Sequence, residues 1–213
     1  MWIRFVYFTA FLGCIFVPLL VAGSTSILSD PRVQIAIGLG ITWALVESSL
    51  DSRQFARNPL DLIWVITAIL GAMGAFTLVV FVYVHRPELT ASSVWVPAAG
   101  FGLAAAGLAI RYLAIRTLGE FFSHELKIAD GHRIVETGLY RRVRHPSYLG
   151  FAMICFGVPL LFGSVSIFLF ILFPILAAVT VRILIEEKIL LDHFGEDYRA
   201  YQARTKRLLP FVW

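Results

Sequence analysis

VSIFLFILFPILAAVTVRILIEEK, residues 165–188, is the stretch that decides the fold. From Val165 to Ile185 the one charged side chain is Arg182. A helix that spans a bilayer needs about 20 consecutive apolar residues, and this run supplies them. No period-2 alternation of apolar and polar residues runs through it, so a barrel strand does not fit. No helix breaker separates the run from Glu186-Glu187-Lys188. The spacing therefore predicts one continuous helix that leaves the membrane near Arg182.

Working outward, the same character holds for most of the chain. The 213 residues are 59% hydrophobic, 14% aromatic and 15% charged. Mean hydropathy is +0.81. Soluble domains carry about 25% charged residues, so this composition excludes an ordinary water-soluble protein. Within lipid only helices and closed barrels satisfy their backbone, which leaves helices. Further apolar runs cover residues 2–22, 33–50, 62–84, 94–115 and 149–162. Together with 165–185 they predict an all-α integral membrane protein of about six transmembrane helices. Gly163-Ser164, with Pro159 before it, predicts a tight C-terminal helical hairpin. The first run resembles a signal peptide at Ala22-Gly23-Ser24, but it is long for an apolar signal core, so a retained helix is expected. Small residues offer close helix contact at Gly38 and Gly40, and at 71–75. Glu47, near the end of its span, is expected at the interface. Gly100-Phe101-Gly102 with Ala105 matches a dinucleotide pattern loosely, but no strand precedes it, and packing of small residues explains it better.

The formal net charge is +4. The basic residues flank the spans, so topology and anionic lipid account for them and nucleic acid does not. Lys127, Arg133, Arg141, Arg142 and Arg144 lie in the loop 117–148. Arg199, Arg204, Lys206 and Arg207 lie in the tail. The hairpin tip at 163–164 is uncharged. The positive-inside rule then puts loop, tail and both termini on the cytoplasmic side, in the inner or plasma membrane if the source is prokaryotic. Arg4, Arg53 and Arg57 fall inside as well; Arg32 and Arg86 fall outside. Residues 1–116 read as membrane-anchor spans and 117–213 as the catalytic region, with its loop, hairpin and tail. The tail is amphipathic and suited to rest on the interface. Cys14 and Cys155 sit in apolar runs and read as small core residues rather than a disulfide.

The one long polar interruption is GHRIVETGLYRRVRHPSYLG, residues 131–150. With Arg182, Glu186 and Glu187 it gathers the chemistry-bearing residues on one side. Arg182 and Glu186 are four apart, hence on one helical face. Ionisable groups at that depth are costly and mark function, although a snorkelling arginine with an interfacial salt bridge gives the same pattern. His124, His132, His145 and His193 form no tight ligand pair and no cysteine joins them, so no metal is expected. Ser147 lies in no nucleophile elbow, which argues against a serine hydrolase.

The polar stretch, followed by EEKILLDHFGEDYRAYQARTKRLLP at 186–210, closely resembles the isoprenylcysteine carboxyl methyltransferase family. That family belongs to a wider group of integral-membrane methyltransferases that includes phospholipid N-methyltransferases. The shared pattern runs H-x-L-V-x-x-G-x-Y, then R-H-P-x-Y-x-G, then E-E, then F-G-x-x-Y-x-x-Y. Ile134 stands in place of the usual Leu. The match extends over residues 118–210, and the earlier spans carry no motif.

The resemblance implies an S-adenosylmethionine-dependent methyltransferase with a cytoplasmic cofactor site. It implies that the cofactor is held by His132, Arg133, Ile134, Val135, Tyr140, His145, Pro146, Ser147, Tyr148 and Glu186, with Glu125 at a further contact position. It implies that Arg182 meets the carboxylate or another anionic part of the acceptor, and that Arg182 and Glu186 are the catalytic pair. The other arginines of the loop then serve topology and lipid headgroups. The implied partners are the lipid bilayer and a lipidic or prenylated substrate that enters sideways from it. A guanidinium can hold a carboxylate bidentately, whereas an amine acceptor would need a base. A phospholipid or small-molecule amine or thiol is the alternative acceptor. Two other classes stay open: a nicotinamide-dependent membrane reductase, which would need contacts for an extra phosphate, and a transporter or scaffold, which would need polar groups at mid-membrane.

Overall fold

The computed structural model describes residue 13, residue 16, residues 20–23, 25–48 and 59–123, residue 131, and residues 133–208. Among the residues from Pro31 onward that are described, six α-helices of about two to eight turns carry the architecture, in the order α1 Pro31–Ser48, α2 Pro59–His85, α3 Trp95–Leu118, α4 Pro146–Leu161, α5 Val165–Phe194 and α6 Glu196–Arg204. Among the described residues there is no β-strand, only one isolated parallel bridge between Val143 and Lys206.

Local chemistry sets the helix boundaries. Pro31, Pro59 and Pro146 occupy first positions, where the missing N–H costs nothing and the fixed φ suits a helix. Asp30 Oδ1 accepts the Arg32 N–H at 2.8 Å at the start of α1. The hairpin tip turns at Gly163, whose φ of +76° favours glycine. α5 is a single helix of 30 residues that continues through Pro174 and past Arg182, as its sequence predicts. At about 1.5 Å per residue it is about 45 Å long, more than a hydrocarbon core of about 30 Å.

α3 and α4 pack at backbone contact. A Cβ on Gly107 would stand 2.6 Å from the Gly150 carbonyl oxygen, and one on Gly150 would stand 2.5 Å from that of Gly107. Gly100 and Gly157 repeat the arrangement one heptad away. Small residues allow this in helices that lipid tails cannot drive together by the hydrophobic effect. Gly100 is thus a packing residue, and no nucleotide loop is needed to explain it. The expectation for Gly38 and for the 71–75 run finds no support among the described residues, where a Cβ at Gly38, Gly71 or Gly74 would meet nothing within 4 Å.

Contacts gather at two ends. At the hairpin end, Val33, Val79, Val80, Leu161, Phe162 and Ile167 form a buried cluster. Tyr83 donates to Asp30 at 2.7 Å, and Ala91 N donates to the Gly163 carbonyl at 2.9 Å. At the opposite, loop-bearing end lie the C-terminal ends of α1, α3 and α5, the start of α4, and the tail. Two helical segments, Trp95–Phe121 and Val165–Phe194, are long and apolar enough to cross a membrane among the described residues. Leu169, Phe170 and Phe173 of α5 point outward and are exposed. Outward aromatics and leucines in such numbers suit a hydrocarbon surrounding. Of the expected first span only a few positions near its end are described; most of that segment and the 51–58 loop lie outside the described residues.

Candidate functional site

The site is built where the start of α4 meets the loop-bearing end of α5. Pro146 ends the preceding extended segment and starts α4, which aims His145 and Tyr148 at α5. The Tyr148 hydroxyl donates to Glu186 Oε2 at 2.7 Å and accepts from Arg182 Nε at 3.4 Å. Tyr148 thus links the two α5 residues that lie one turn apart. His145 is buried beside the Tyr148 ring, with ring centroids 5.8 Å apart. Its Nε2 lies 3.4 Å from Glu187 Oε1, and its Nδ1 lies 4.0 Å from Glu186 Oε1.

The adjacent carboxylates have different surroundings. Glu187, with a side chain 6% exposed, accepts from Arg144 Nε at 2.7 Å and from Arg207 Nε at 3.0 Å. Two guanidiniums and an imidazole surround it. Glu186 keeps 32% of its side chain exposed. Within this cluster Glu186 is the carboxylate available to a cationic or amine-bearing ligand.

The tail closes the site from outside. Residues 142–145 pair with 206–207 through Arg144 N to Lys206 O at 2.7 Å, His145 N to Arg207 O at 3.0 Å and Lys206 N to Arg142 O at 3.0 Å. Arg144 also donates to the carbonyls of Thr205, at 2.6 Å, and Gln202, at 3.2 Å. This corrects the expectation for Arg144: its guanidinium is turned inward to Glu187 and the tail rather than to lipid headgroups. The Tyr201 hydroxyl on α6 donates to the buried Tyr140 carbonyl at 2.7 Å. Burial pushes the phenols of Tyr140 and Tyr201 well above the ordinary tyrosine range, so both stay protonated and able to donate. The Tyr198 hydroxyl is buried with no hydrogen-bond partner among the described residues.

Arg133, Ile134 and Val135 lie elsewhere on the same end. With Glu136 and Thr137 they face Thr117, Leu118, Gly119, Glu120 and Phe121 across an open hollow of about 590 Å³. The Arg133 guanidinium stands 6.0 Å from the Phe121 ring centroid. Of the residues expected from the sequence, the structure brings His145, Tyr148, Arg182 and Glu186 together, with Ser147 and Pro146 buried at the start of α4 and Tyr140 buried under Tyr201. The residues 133–135 line the hollow, and the cluster is not part of that lining. Glu125 and His132 lie outside the described residues. Among the described residues no three His, Cys, Asp or Glu side chains gather as a metal site would require.

Sequence reasoning missed a second charged pair. Arg111 Nε donates to Glu47 Oε1 at 2.5 Å, with the two side chains 8% and 0% exposed. The Arg111 guanidinium also donates to Ser147, at 2.9 Å to Oγ and 3.3 Å to the carbonyl oxygen. Glu47, one residue from the end of α1, is therefore buried between helices. The available signal was one carboxylate and one guanidinium, each near the end of an apolar run but still within it. Such groups are expensive unless paired, and neither has an opposite charge three or four residues away in the sequence.

Comparison with known proteins bears on the same region. Residues 100–192 match the profile of the isoprenylcysteine carboxyl methyltransferase family. The protein-S-isoprenylcysteine O-methyltransferase of Saccharomyces cerevisiae is 37% identical over 107 residues, 48% of this chain and 44% of that protein. Methanethiol S-methyltransferase 1 of Bradyrhizobium diazoefficiens is 33% identical over 135 residues, 60% of this chain and 45% of that protein. The matched regions span about half the length of the curated relatives. A solved structure of a eukaryotic intramembrane Ras methyltransferase superposes with a TM-score of 0.60 at 21% identity, covering 93% of this chain and 73% of that one. At that identity the likeness is one of fold, and the shared fold is all-helical.

Proposed function

We propose that this protein is a membrane methyltransferase that uses S-adenosylmethionine to methylate a lipidic or hydrophobic acceptor, foremost the carboxylate of an isoprenylcysteine. The observation that carries the proposal is the cluster of His145, Tyr148, Arg182 and Glu186, where the polar loop meets α5 inside the family-matched region. Its charges fit the donor. Glu186 is a partly exposed carboxylate, while Glu187 beside it is already neutralised by Arg144 and Arg207. When bound, the cofactor supplies an electrophilic methyl group on a sulfonium.

The chain's own residues then bind, orient and exclude water. Glu186 attracts a positive group. Tyr148 fixes Glu186 and Arg182 relative to each other. Arg182 offers a planar fork to an anionic acceptor, which aims an oxygen and needs no base. Proximity and loss of water supply most of the acceleration in such a displacement. In this reading about six spans place loop, tail and both termini in the cytoplasm, and the acceptor's apolar part reaches the site from the bilayer. The methanethiol-methylating relative supports a second reading in which a small hydrophobic thiol is the acceptor. A thiol must lose its proton, and in this reading His145, which lies 3.4 Å from Glu187, takes it.

The test is binding followed by turnover. In detergent, S-adenosylmethionine or its demethylated product is titrated by calorimetry into wild type, Glu186→Ala and Arg182→Ala. Wild type and Arg182→Ala are expected to bind, Glu186→Ala to lose binding, and Arg182→Ala to lose turnover of a farnesylated cysteine analogue. No binding by wild type at millimolar ligand refutes the proposal.

A further inference from the structure

Of the charged groups inside the helix bundle, Glu47 and Arg111 are not absorbed by the chemistry above. Arg111 lies seven residues before the end of α3, about 10 Å inside it at 1.5 Å per residue. Two other helices supply groups to it. α1 supplies Glu47 at 2.5 Å and, one turn earlier, the Trp43 ring 5.6 Å from the guanidinium carbon. α4 supplies both oxygens of Ser147. Glu47 and Trp43 are four apart on one face and bracket the guanidinium.

A fully buried ion pair seldom stabilises more than a well-packed apolar pair of the same volume. If holding helices together were the whole requirement, Leu and Met at these positions would serve. A guanidinium does what Leu and Met cannot: it presents several N–H donors in a fixed plane. Here one edge is taken by Glu47 and another meets Ser147. Ser147 lies between His145 and Tyr148, the two α4-start residues that face Glu186 and Arg182. A rotation of that first turn would shift both. Glu47 lies outside the family-matched residues 100–192, so the support it gives comes from a helix without any motif.

We propose that Glu47 and Arg111 are positioning residues for the His145–Tyr148 turn: the carboxylate orients the guanidinium, and the guanidinium fixes both Ser147 oxygens and thereby the donor-binding face of α4. The inference rests on the reading of His145–Tyr148 as part of the methyl-donor site. Its test is the double variant Glu47→Leu/Arg111→Met, which keeps volume and removes both charges, beside the single variant Arg111→Lys, which keeps the charge and loses the fork. Binding of S-adenosylhomocysteine is measured by calorimetry, KM for donor and for a farnesylated cysteine analogue are measured separately, and Tm is recorded for each.

The double variant is expected to fold with a Tm near wild type and to bind S-adenosylhomocysteine at least tenfold more weakly. Donor KM rises in step while acceptor KM stays within twofold. Arg111→Lys is expected to show the same split at fivefold or more, and it decides the matter alone if the double variant does not fold. Donor affinity within twofold of wild type in a folded variant overturns the inference, and so does a rise confined to acceptor KM, which would make Arg111 an acceptor contact. Wild type that fails to bind S-adenosylhomocysteine refutes the methyltransferase reading itself, a result distinct from either of these.

Discussion

Exchanging either member of the Glu186-Glu187 pair for alanine should separate binding from stability. Glu187→Ala strips the carboxylate from Arg144, whose side chain is 7% exposed, and removes a 3.0 Å bond from Arg207. Breaking one side of a buried ion pair costs about 3–5 kcal/mol, because the remaining charge stays desolvated. For a chain of this length each kcal/mol lowers Tm by about 2–4 °C, so the fall is roughly 6–20 °C. Glu186→Ala removes one hydrogen bond, from Tyr148, at a site 32% exposed. That is worth about 1 kcal/mol, or about 2–4 °C. The assay is thermal unfolding of detergent-purified protein at one scan rate, paired with titration of S-adenosylhomocysteine. Expected are a large loss of Tm for Glu187→Ala and a lost titration with near-normal Tm for Glu186→Ala. Equal losses of Tm, or a fully stable Glu187→Ala, would refute the division of labour between the two carboxylates.

Three other outcomes follow from the packing. Gly107→Leu forces a side chain into the Gly150 carbonyl 2.6 Å away and should destabilise by at least about 1–3 kcal/mol, whereas Gly102→Ala, with open space around it, should leave Tm unchanged or slightly raised. Lys206→Pro deletes the N–H that bonds Arg142 at 3.0 Å, so the tail should become more susceptible to limited proteolysis and S-adenosylhomocysteine should bind more weakly. Tyr140 and Tyr201 have folded-state pKa values raised by burial above the ordinary value near 10; their contribution to stability is therefore complete below about pH 10 and declines as pH rises through the folded-state values. Denaturant unfolding between about pH 8 and 11 should show this decline, and Tyr201→Phe should make it shallower.

The sequence by itself determined the helical class, the continuity of α5 past Arg182, the hairpin tip at Gly163, and the candidate residues His145, Tyr148, Arg182 and Glu186. Each of these is local: apolar run length, turn residues, helical spacing, or a family motif contained in one segment. Spacing and motif set Glu186 apart, but only the tertiary structure showed what holds Glu187, because its partners Arg144 and Arg207 come from the loop and the tail. Only it paired Glu47 with Arg111, 64 residues apart, because a buried charge announces that it needs a counter-charge without saying on which helix. The glycines teach the same point. Gly38 and Gly100 both read as sites of close approach, but which glycine meets a neighbouring backbone depends on how the helices are rotated against one another. That rotation follows from the pairwise packing of α3 on α4, a relation that neither segment carries alone.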